Sequence, residues 1–164
     1  MRHIISILLQ NEVGALSRVA GLFSNRGYNI ESLNVAPTDD PTVSRITLVT
    51  TGTEAVLTQI VNQSLKLVDV VNVDDLTRDV HIERELLLLK IKPTHSQGAA
   101  LRDVIDKVGA KILSDETDSV IVELTESEAR LSHFISTVGN FGEVLEVARS
   151  GALAVIRGTE TLRA

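Results

Sequence analysis

The sequence has few or none of the residues on which several kinds of protein chemistry depend. Cysteine is absent from all 164 residues, which excludes disulfides, zinc–thiolate centres and thiol catalysis. Aromatic residues make up only 2% of the chain, whereas apolar residues make up 43%. The core must therefore consist mainly of aliphatic side chains, a composition that suits small layers of helix and sheet in a folded protein.

Basic residues are also too few to outweigh the acidic ones. The chain has 16 Lys and Arg against 22 Asp and Glu, for a formal net charge of −6. An acidic chain without a basic stretch is a poor electrostatic match for nucleic acid or an anionic membrane. Its apolar runs fall far short of the roughly 20 residues of a membrane span, and the opening "MRHIISILLQNE" lacks the h-region and cleavage site of a signal peptide. We therefore expect a cytoplasmic protein that contacts neither nucleic acid nor membrane.

A recognisable set of catalytic residues is missing as well. The four histidines are isolated from one another, and no P-loop, G-x-S-x-G or G-x-G-x-x-G motif occurs. His81 and Glu83 match the H-x-E of zinc deaminases, but the P-C-x-x-C that must accompany it is absent. Two Asp-Asp pairs, at 39–40 and 74–75, fit solvated turns better than an ion site. We predict no catalytic residue and no metal site in this chain.

What the sequence does contain is a regular alternation of strand and helix patterns. In the first half, apolar residues at 16, 19, 20 and 23 recur at the spacing of one helix face. Thr53 is suited to cap a second helix. The predicted order is βαββαβ: strand 3–9, helix from 15, strand 28–36 with a bulge between Ile30 and Leu33, strand 43–50, helix from 54, and strand 68–73.

The second half repeats this order. It reads as strand 86–92, a helix around 101–108, a hairpin of strands 111–114 and 119–124, a helix around 131–138, and strand 144–147. Thr125 and Glu128 match a capping box for the second of these helices, and a further short strand is predicted at 153–156. The repeat predicts an α+β fold of two ferredoxin-like βαββαβ domains, residues 1–78 and residues 79–164. One long sheet with four strand–helix alternations is the competing arrangement.

Each predicted domain has one sheet face that its own helices leave bare. Right-handed crossovers place both helices on the same face of a four-stranded antiparallel sheet. Strand residues 4–9 are apolar on both faces, and a domain of roughly 80 residues has only a small core of its own. A second copy of the chain is the natural cover for the bare face, so we expect a homodimer.

The stretch "LLQNEVGALSRV" (8–19) has the features of a ligand site. A strand runs through a short turn to Gly14, and a helical pattern starts at once with Ala15 and Leu16. The first N–H groups of a helix lack partners and carry partial positive charge, so a carboxylate could rest on the backbone of residues 14–16. Asn11 could orient a polar group from across the loop. The alternative is a tight turn that needs a glycine and an Asn cap and binds nothing.

The same segment resembles a known family. "N-x-x-G-A-L-x-x-V" after an opening strand is similar to the ACT domain, a ligand-binding regulatory module of amino-acid metabolism. The stretches "RGYNIESLNVAPTDDP" (26–41), "HIERELLLLKI" (81–91) and "EVLEVARSGALAVIRG" (143–158) extend the likeness nearly end to end. They resemble the small regulatory subunit of acetohydroxyacid synthase (AHAS, also called acetolactate synthase).

The resemblance implies a subunit that has no catalytic activity and binds no cofactor itself. Its large partner subunit carries thiamine diphosphate, Mg²⁺ and FAD. The small subunit raises the activity of the large one and confers feedback inhibition by valine, in some members also by leucine or isoleucine. The N-terminal ACT domains of two chains pair, and the effector lies between them.

Site residues follow from the same resemblance. Val13 stands where other ACT domains often have proline, so the loop is expected to be slightly less rigid. The implied effector contacts are Asn11, Val13, Gly14, Ala15 and Leu16 of one chain with Asn29 and Ile30 of the other, where Val13, Leu16 and Ile30 form an apolar wall.

Two other functions stay open from the residues alone. Acylphosphatases share the βαββαβ order and hold a phosphate on the first strand–helix loop with an arginine, but here Arg18 lies one turn inside the helix and Glu12 would repel phosphate. A free-standing ACT regulator of another enzyme or of transcription is the second alternative, although the sequence contains no helix-turn-helix or basic recognition helix. The sequence does not rank valine, leucine and isoleucine, because one methylene is worth only about 1–3 kcal/mol in an apolar pocket.

The two halves are expected to divide the work. The second half lacks a counterpart of "NEVG", since its first strand leaves through the longer loop "KPTHSQG" (92–98). We predict that residues 79–164 bind no branched-chain amino acid. We also predict that a chain cut near residue 78 still binds valine.

Overall fold

The chain folds into two compact units that differ in extent from the predicted domains. The computed structural model describes residues 1–163. One unit comprises Met1–Glu83 together with the C-terminal residues from Gly151 onward, and the other comprises Arg84–Ser150. The boundary between the units therefore lies between Glu83 and Arg84 rather than between residues 78 and 79, and the C-terminal segment belongs to the first unit rather than to the second.

The first unit is a four-stranded antiparallel sheet with two helices. The strand order is β2-β3-β1-β4, and all neighbours are antiparallel. A short 3₁₀ helix follows the last strand at Leu76–Arg78. The elements are, in chain order, β1 (Arg2–Gln10), α1 (Ala15–Asn25), β2 (Ile30–Pro37), β3 (Val43–Thr51), α2 (Glu54–Ser64) and β4 (Val70–Asp75), which is the predicted βαββαβ order.

Both helices pack on one face of this sheet, as predicted. Alternate residues of a strand point to opposite faces, so Ile5, Ile7 and Leu9 face the helices and Ile4 and Leu8 face away. The core beneath the helices also contains Val19 and Phe23 of α1, Ile46 and Leu48 of β3, and Leu57 and Ile60 of α2, all nearly inaccessible to solvent.

The second unit repeats the topology of the first. Its strand order is β6-β7-β5-β8, which corresponds position by position to β2-β3-β1-β4. Within residues 1–163 the strands thus form two separate sheets, which confirms the two ferredoxin-like domains and excludes one long sheet. The elements are β5 (His81–Pro93, whose first residues belong to the first unit), α3 (Gly98–Lys107), β6 (Lys111–Glu116), β7 (Ser119–Glu126), α4 (Glu128–Val138) and β8 (Gly142–Arg149).

The C-terminal segment covers part of the bare face of the first sheet. Strand β9 (Leu153–Ile156) forms where it was predicted and pairs with β5, and Arg157 N–H donates to Val80 O at 2.8 Å. Ala152, Ala154 and Ile156 pack with Ile4 of β1, Val49 of β3 and Leu76, in a second hydrophobic cluster of the first unit.

This cover changes the argument for a dimer. The sequence led us to expect that a second copy of the chain buries the apolar face of β1. In the structure Ile4 and Val49 are buried by residues of their own chain, because the segment after the second unit returns to the first. The dimer stays a prediction, but the burial of these residues no longer supports it.

Some local predictions are confirmed and others are wrong. Thr53 caps α2, with its side chain accepting from Val56 N–H. The pairing of β2 with β3 shifts register between Ile30 and Ser32, where a bulge was predicted. The capping box at Thr125 does not form. Thr125 is still paired with Leu86 in the β5–β7 ladder, so the extended chain continues and Ser127 takes the N-cap position.

Candidate functional site

The turn between β1 and α1 leaves the start of the helix open. Gly14 occupies the N-cap position with φ 89° and ψ −11°, a left-handed conformation that glycine adopts without steric cost. Within residues 1–163 no side chain caps this helix, and its first turn contains no acidic residue. The side-chain acceptor that usually caps a helix start, and the acidic residue that often follows it, are therefore both missing from α1 in the described part of the chain.

Not all the backbone N–H groups at this helix start have an acceptor within the chain. Ala15 N–H donates to Glu12 O at 3.2 Å, whereas the next N–H groups, of Leu16 and Ser17, have no acceptor within the helix. Ala15 is buried, Leu16 is 40% exposed and Val13 is fully exposed. The helix start therefore combines N–H groups that lack an acceptor in the helix with apolar side chains that are exposed to solvent.

Asn11 fixes the loop rather than the helix start. Its backbone N–H donates to Thr42 O at 2.8 Å, and its side-chain Nδ2 donates to Pro41 O at 2.9 Å. Both bonds tie the loop to the β2–β3 turn. Its side-chain oxygen accepts no hydrogen bond from the described part of the chain, so it is free to accept from a ligand.

Arg18 is a member of this site that the sequence did not reveal. Its Nε and Nη2 bind both carboxylate oxygens of Asp69, with Nη2 2.8 Å from Oδ1. Its Nη1 lies 3.0 Å from where a Cβ on Gly14 would be. Although Arg18 is one turn inside the helix, as expected, its guanidinium reaches back over the helix start.

Asp69 holds Arg18 in this position. Asp69 is only 4% exposed, and its carbonyl accepts from Gln10 N–H at 2.8 Å. The hydrogen bond from Arg18 keeps the pKa of Asp69 below its usual value, and the same bond raises the pKa of Arg18. The guanidinium is therefore fixed beside the positive end of the helix macrodipole, where Asp69 largely balances its charge and Nη1 is left to donate to a bound anion.

The remaining predicted residues lie at the other end of the unit. Helix α1 has 11 residues and so separates Gly14 from Asn29 by about 16 Å along its axis. Ile30 pairs with Thr50, which pairs with His3 at the start of β1, whereas Gly14 follows Gln10 at its end. The structure groups Asn11, Val13, Gly14, Ala15 and Leu16 but not Asn29 and Ile30, so a site that uses both groups needs two chains.

Two family models match the sequence and together cover most of it. Residues 5–72 match the AHAS small subunit-like ACT domain. Residues 84–158 match the small subunit of acetolactate synthase. The chain belongs to the acetolactate synthase small-subunit family.

Individual relatives agree over the full length. The acetolactate synthase isozyme 3 small subunit of Escherichia coli is 45% identical over 163 residues, 99% of this chain and 100% of the relative. The acetolactate synthase small subunit of Haemophilus influenzae is 43% identical over 99% of each chain. A solved structure of the acetolactate synthase small subunit from Thermotoga maritima matches with a TM-score of 0.89 at 29% identity, covering 98% of this chain and 99% of that one.

In this member of the small-subunit family, the second unit contains an altered version of the same helix start. Gly98 and Arg102 repeat the spacing of Gly14 and Arg18, and Arg102 binds Asp115 through Nε at 2.9 Å and Nη2 at 2.6 Å. Here, however, Nη1 of Arg102 donates to Gly98 O at 3.0 Å, so its remaining nitrogen is engaged by the helix start. This difference favours the first unit as the one that holds a ligand.

Two further features are absent from residues 1–163. No helix there is long and apolar enough to cross a membrane. No group of three or more His, Cys, Asp or Glu residues in that part of the chain is arranged to hold a metal ion.

Proposed function

We propose that the chain is the non-catalytic regulatory subunit of acetohydroxyacid synthase in branched-chain amino acid biosynthesis. It activates a large catalytic subunit and confers feedback inhibition by valine, with leucine and isoleucine as the other candidate effectors. The observation that carries the proposal is the uncapped, glycine-started helix α1 in a chain of this family. We assign thiamine diphosphate, Mg²⁺ and FAD to the large subunit and no cofactor to this chain.

The chemistry of valine matches the groups at this helix start. Its carboxylate accepts from the N–H groups of Leu16 and Ser17 and is attracted by Arg18. Its isopropyl group covers the exposed side chains of Val13 and Leu16. Its ammonium donates to the free side-chain oxygen of Asn11 or to a carbonyl of the second chain.

The second half of the site comes from another copy of the chain. Strand β2 lies at the edge of its sheet, and this edge, with exposed Val35 (39%) and Asn29, is the surface on which we expect a copy of the chain to pair. A two-fold axis along this edge brings the Gly14 loop of one chain towards Asn29 and Ile30 of its partner. We therefore propose a homodimer that pairs through its first units.

A site shared by two chains explains how an effector acts at a distance. An effector shifts an equilibrium only if it binds the two states with different affinity. Valine held between two first units binds tightly only when both halves are correctly placed, so its occupancy depends on how the chains pack. The large subunit, bound to the same dimer, responds to that packing.

Reconstitution with the large subunit of the same cell tests the proposal. The two subunits are co-purified, and acetolactate formation is measured with and without valine, for the wild type, Gly14→Asp and Gly109→Asp. Gly109 is a control for backbone conformation, because it also has a positive φ (71°) but follows α3 in the second unit, where a side chain would meet open space.

The expected results separate function from site. The wild type activates the large subunit and makes it valine-sensitive. Gly14→Asp keeps the activation and loses valine sensitivity, because its carboxylate occupies the place of the effector's. Gly109→Asp keeps both. A wild-type chain that does not change the activity of the large subunit contradicts the function, and full valine sensitivity in Gly14→Asp contradicts the site.

A further inference from the structure

A cavity in the first unit lies on the sheet face opposite the helices. Its volume is about 590 Å³, within the range of small-molecule sites. The floor is the sheet, with Leu8 and Thr47, and one wall is the β2–β3 turn at residues 38–40. The C-terminal segment forms the other wall with Leu153 and Leu162, so the cavity exists only because that segment returns to the first unit.

A guanidinium without an ion-pair partner lines this cavity. Arg45 is half-buried, and its Nη2 donates to Ala154 O at 2.9 Å. In contrast to Arg18, it forms no ion pair with any carboxylate of residues 1–163. An arginine carries five N–H donors, so most of those on Arg45 have no protein acceptor. Burial lowers the pKa of Arg45, and the charge of Asp74 only partly opposes this.

Two acidic residues, Asp39 and Asp40, line the cavity wall, and neither forms an ion pair with Arg45 among residues 1–163. The carboxylate of Asp40 accepts from Thr42 N–H at 2.9 Å and from Thr42 Oγ1 at 2.7 Å. These bonds keep the pKa of Asp40 below its usual value and fix the side chain within its own turn. The half-buried charge of Arg45 is thus left for an anion from solution.

We propose that this cavity binds a small aliphatic carboxylate, with the carboxylate on Arg45 and the apolar body against Leu8, Leu153 and Leu162. Guanidinium and carboxylate match in geometry as well as charge. The apolar wall selects ligands with a hydrocarbon body over inorganic anions. The site is separate from the helix start at Gly14, because the sheet lies between the cavity and the helices.

Titration of the full chain with isovalerate tests this site. Isovalerate is a branched aliphatic carboxylate without an ammonium group, and 3-methyl-1-butanol is its uncharged analogue. In ¹H–¹⁵N spectra of labelled protein, isovalerate should shift the amide signals of Thr47 and Ala154 in a saturable way. The alcohol should do so at least about tenfold more weakly, because it makes no charge-assisted bond.

Substitutions then test whether Arg45 binds the carboxylate of isovalerate. Arg45→Gln should weaken isovalerate binding at least about tenfold, Arg45→Lys should weaken it less, and the second-unit control Arg130→Gln should leave it unchanged. Gly14→Asp should also leave it unchanged, which separates this proposal from that of the effector site. Equal binding of acid and alcohol, shifts confined to the Gly14 loop, or unchanged affinity in Arg45→Gln would each overturn the proposal. If Arg45→Gln fails to fold, the comparison of acid with alcohol decides.

Discussion

At the scale of single residues, the open helix start depends on the backbone conformation of Gly14 and on the position of Arg18. Glycine, a strand before it and a helix after it are all visible in the sequence, so this part of the site was predictable. The pairing of Arg18 with Asp69 was not, because the two residues are 51 positions apart and only the folded sheet brings them together. The spacing of four residues from Gly14 to Arg18 was the available signal, since residues i and i+4 share a helix face.

Gly14→Ala should separate backbone strain from ligand binding. A side chain at φ 89° costs about 1–2 kcal/mol, and Gly109→Ala, at φ 71°, should cost a similar amount. Only the change at Gly14 brings a methyl group to 3.0 Å from Nη1 of Arg18. Urea unfolding should therefore show similar losses of stability for both variants, whereas the rise in Tm on adding valine should shrink only in Gly14→Ala. Equal valine responses would contradict the assigned position of Arg18.

The ion pair of Asp69 and Arg18 should make stability depend on pH in one direction. The pKa of Asp69 is lowered in the folded state. The ion pair's contribution to the free energy of unfolding is therefore complete above the unfolded-state pKa of about 3.9, and it disappears as the pH falls through the lower folded-state pKa. Asp69→Asn should be less stable than the wild type at pH 7, and the difference should vanish in strong acid. Asp39→Asn, at an exposed turn, is the control with little expected effect. A pH-independent difference for Asp69→Asn would argue against the ion pair.

At the scale of elements, local sequence patterns predicted which segments form strands and helices but not where the last one goes. The apolar periodicity of α1 and the cap at Thr53 depend on neighbours a few residues away, and both are confirmed. Strand β9 was also predicted, yet its packing on Ile4 and Val49 depends on contacts across almost the whole chain. The failed capping box at Thr125 has the opposite cause: a local motif was present, but the strand ladder extended through it.

Removal of residues 151–164 should destabilise the first unit. Ile4, Val49 and Leu76 would lose the cover of Ala152, Ala154 and Ile156, and we expect a loss of at least about 2 kcal/mol in the free energy of unfolding. A dye that binds exposed apolar surface should fluoresce with the shortened chain. Removal of residues 159–164 alone keeps β9 and should leave both measurements close to wild type. A shortened chain as stable as the full one would show that this cover contributes nothing.

Because of the same contacts, a chain cut near residue 78 is a poor test of valine binding. Such a fragment lacks the C-terminal segment that covers Ile4 and Val49. Loss of valine binding in it would report on folding as much as on the site. A better fragment for calorimetry joins residues 1–83 to residues 151–164 through a flexible linker.

At the scale of the whole molecule, two units of one topology have diverged at their first helices. Gly14 leaves α1 open, whereas Arg102 donates to Gly98 O at the start of α3. The repeat was visible in the sequence, but this difference was not, because it lies in the direction of one guanidinium group. In the assembled molecule we propose a dimer in which each open helix start meets the Asn29 segment of the partner chain.

Subunit mixing tests whether the effector site is shared between the two chains of a dimer. Gly14→Asp destroys the loop half of each site, and Asn29→Lys places a cation beside the effector's ammonium in the other half, so neither homodimer should bind valine. In a mixed dimer one site combines both changes and the other is intact. After equimolar mixing and exchange of subunits, calorimetry should recover about one quarter of the wild-type binding capacity, because half of the dimers are mixed and each has one intact site of two. No recovery in a sample that has demonstrably exchanged subunits would contradict a site shared between chains.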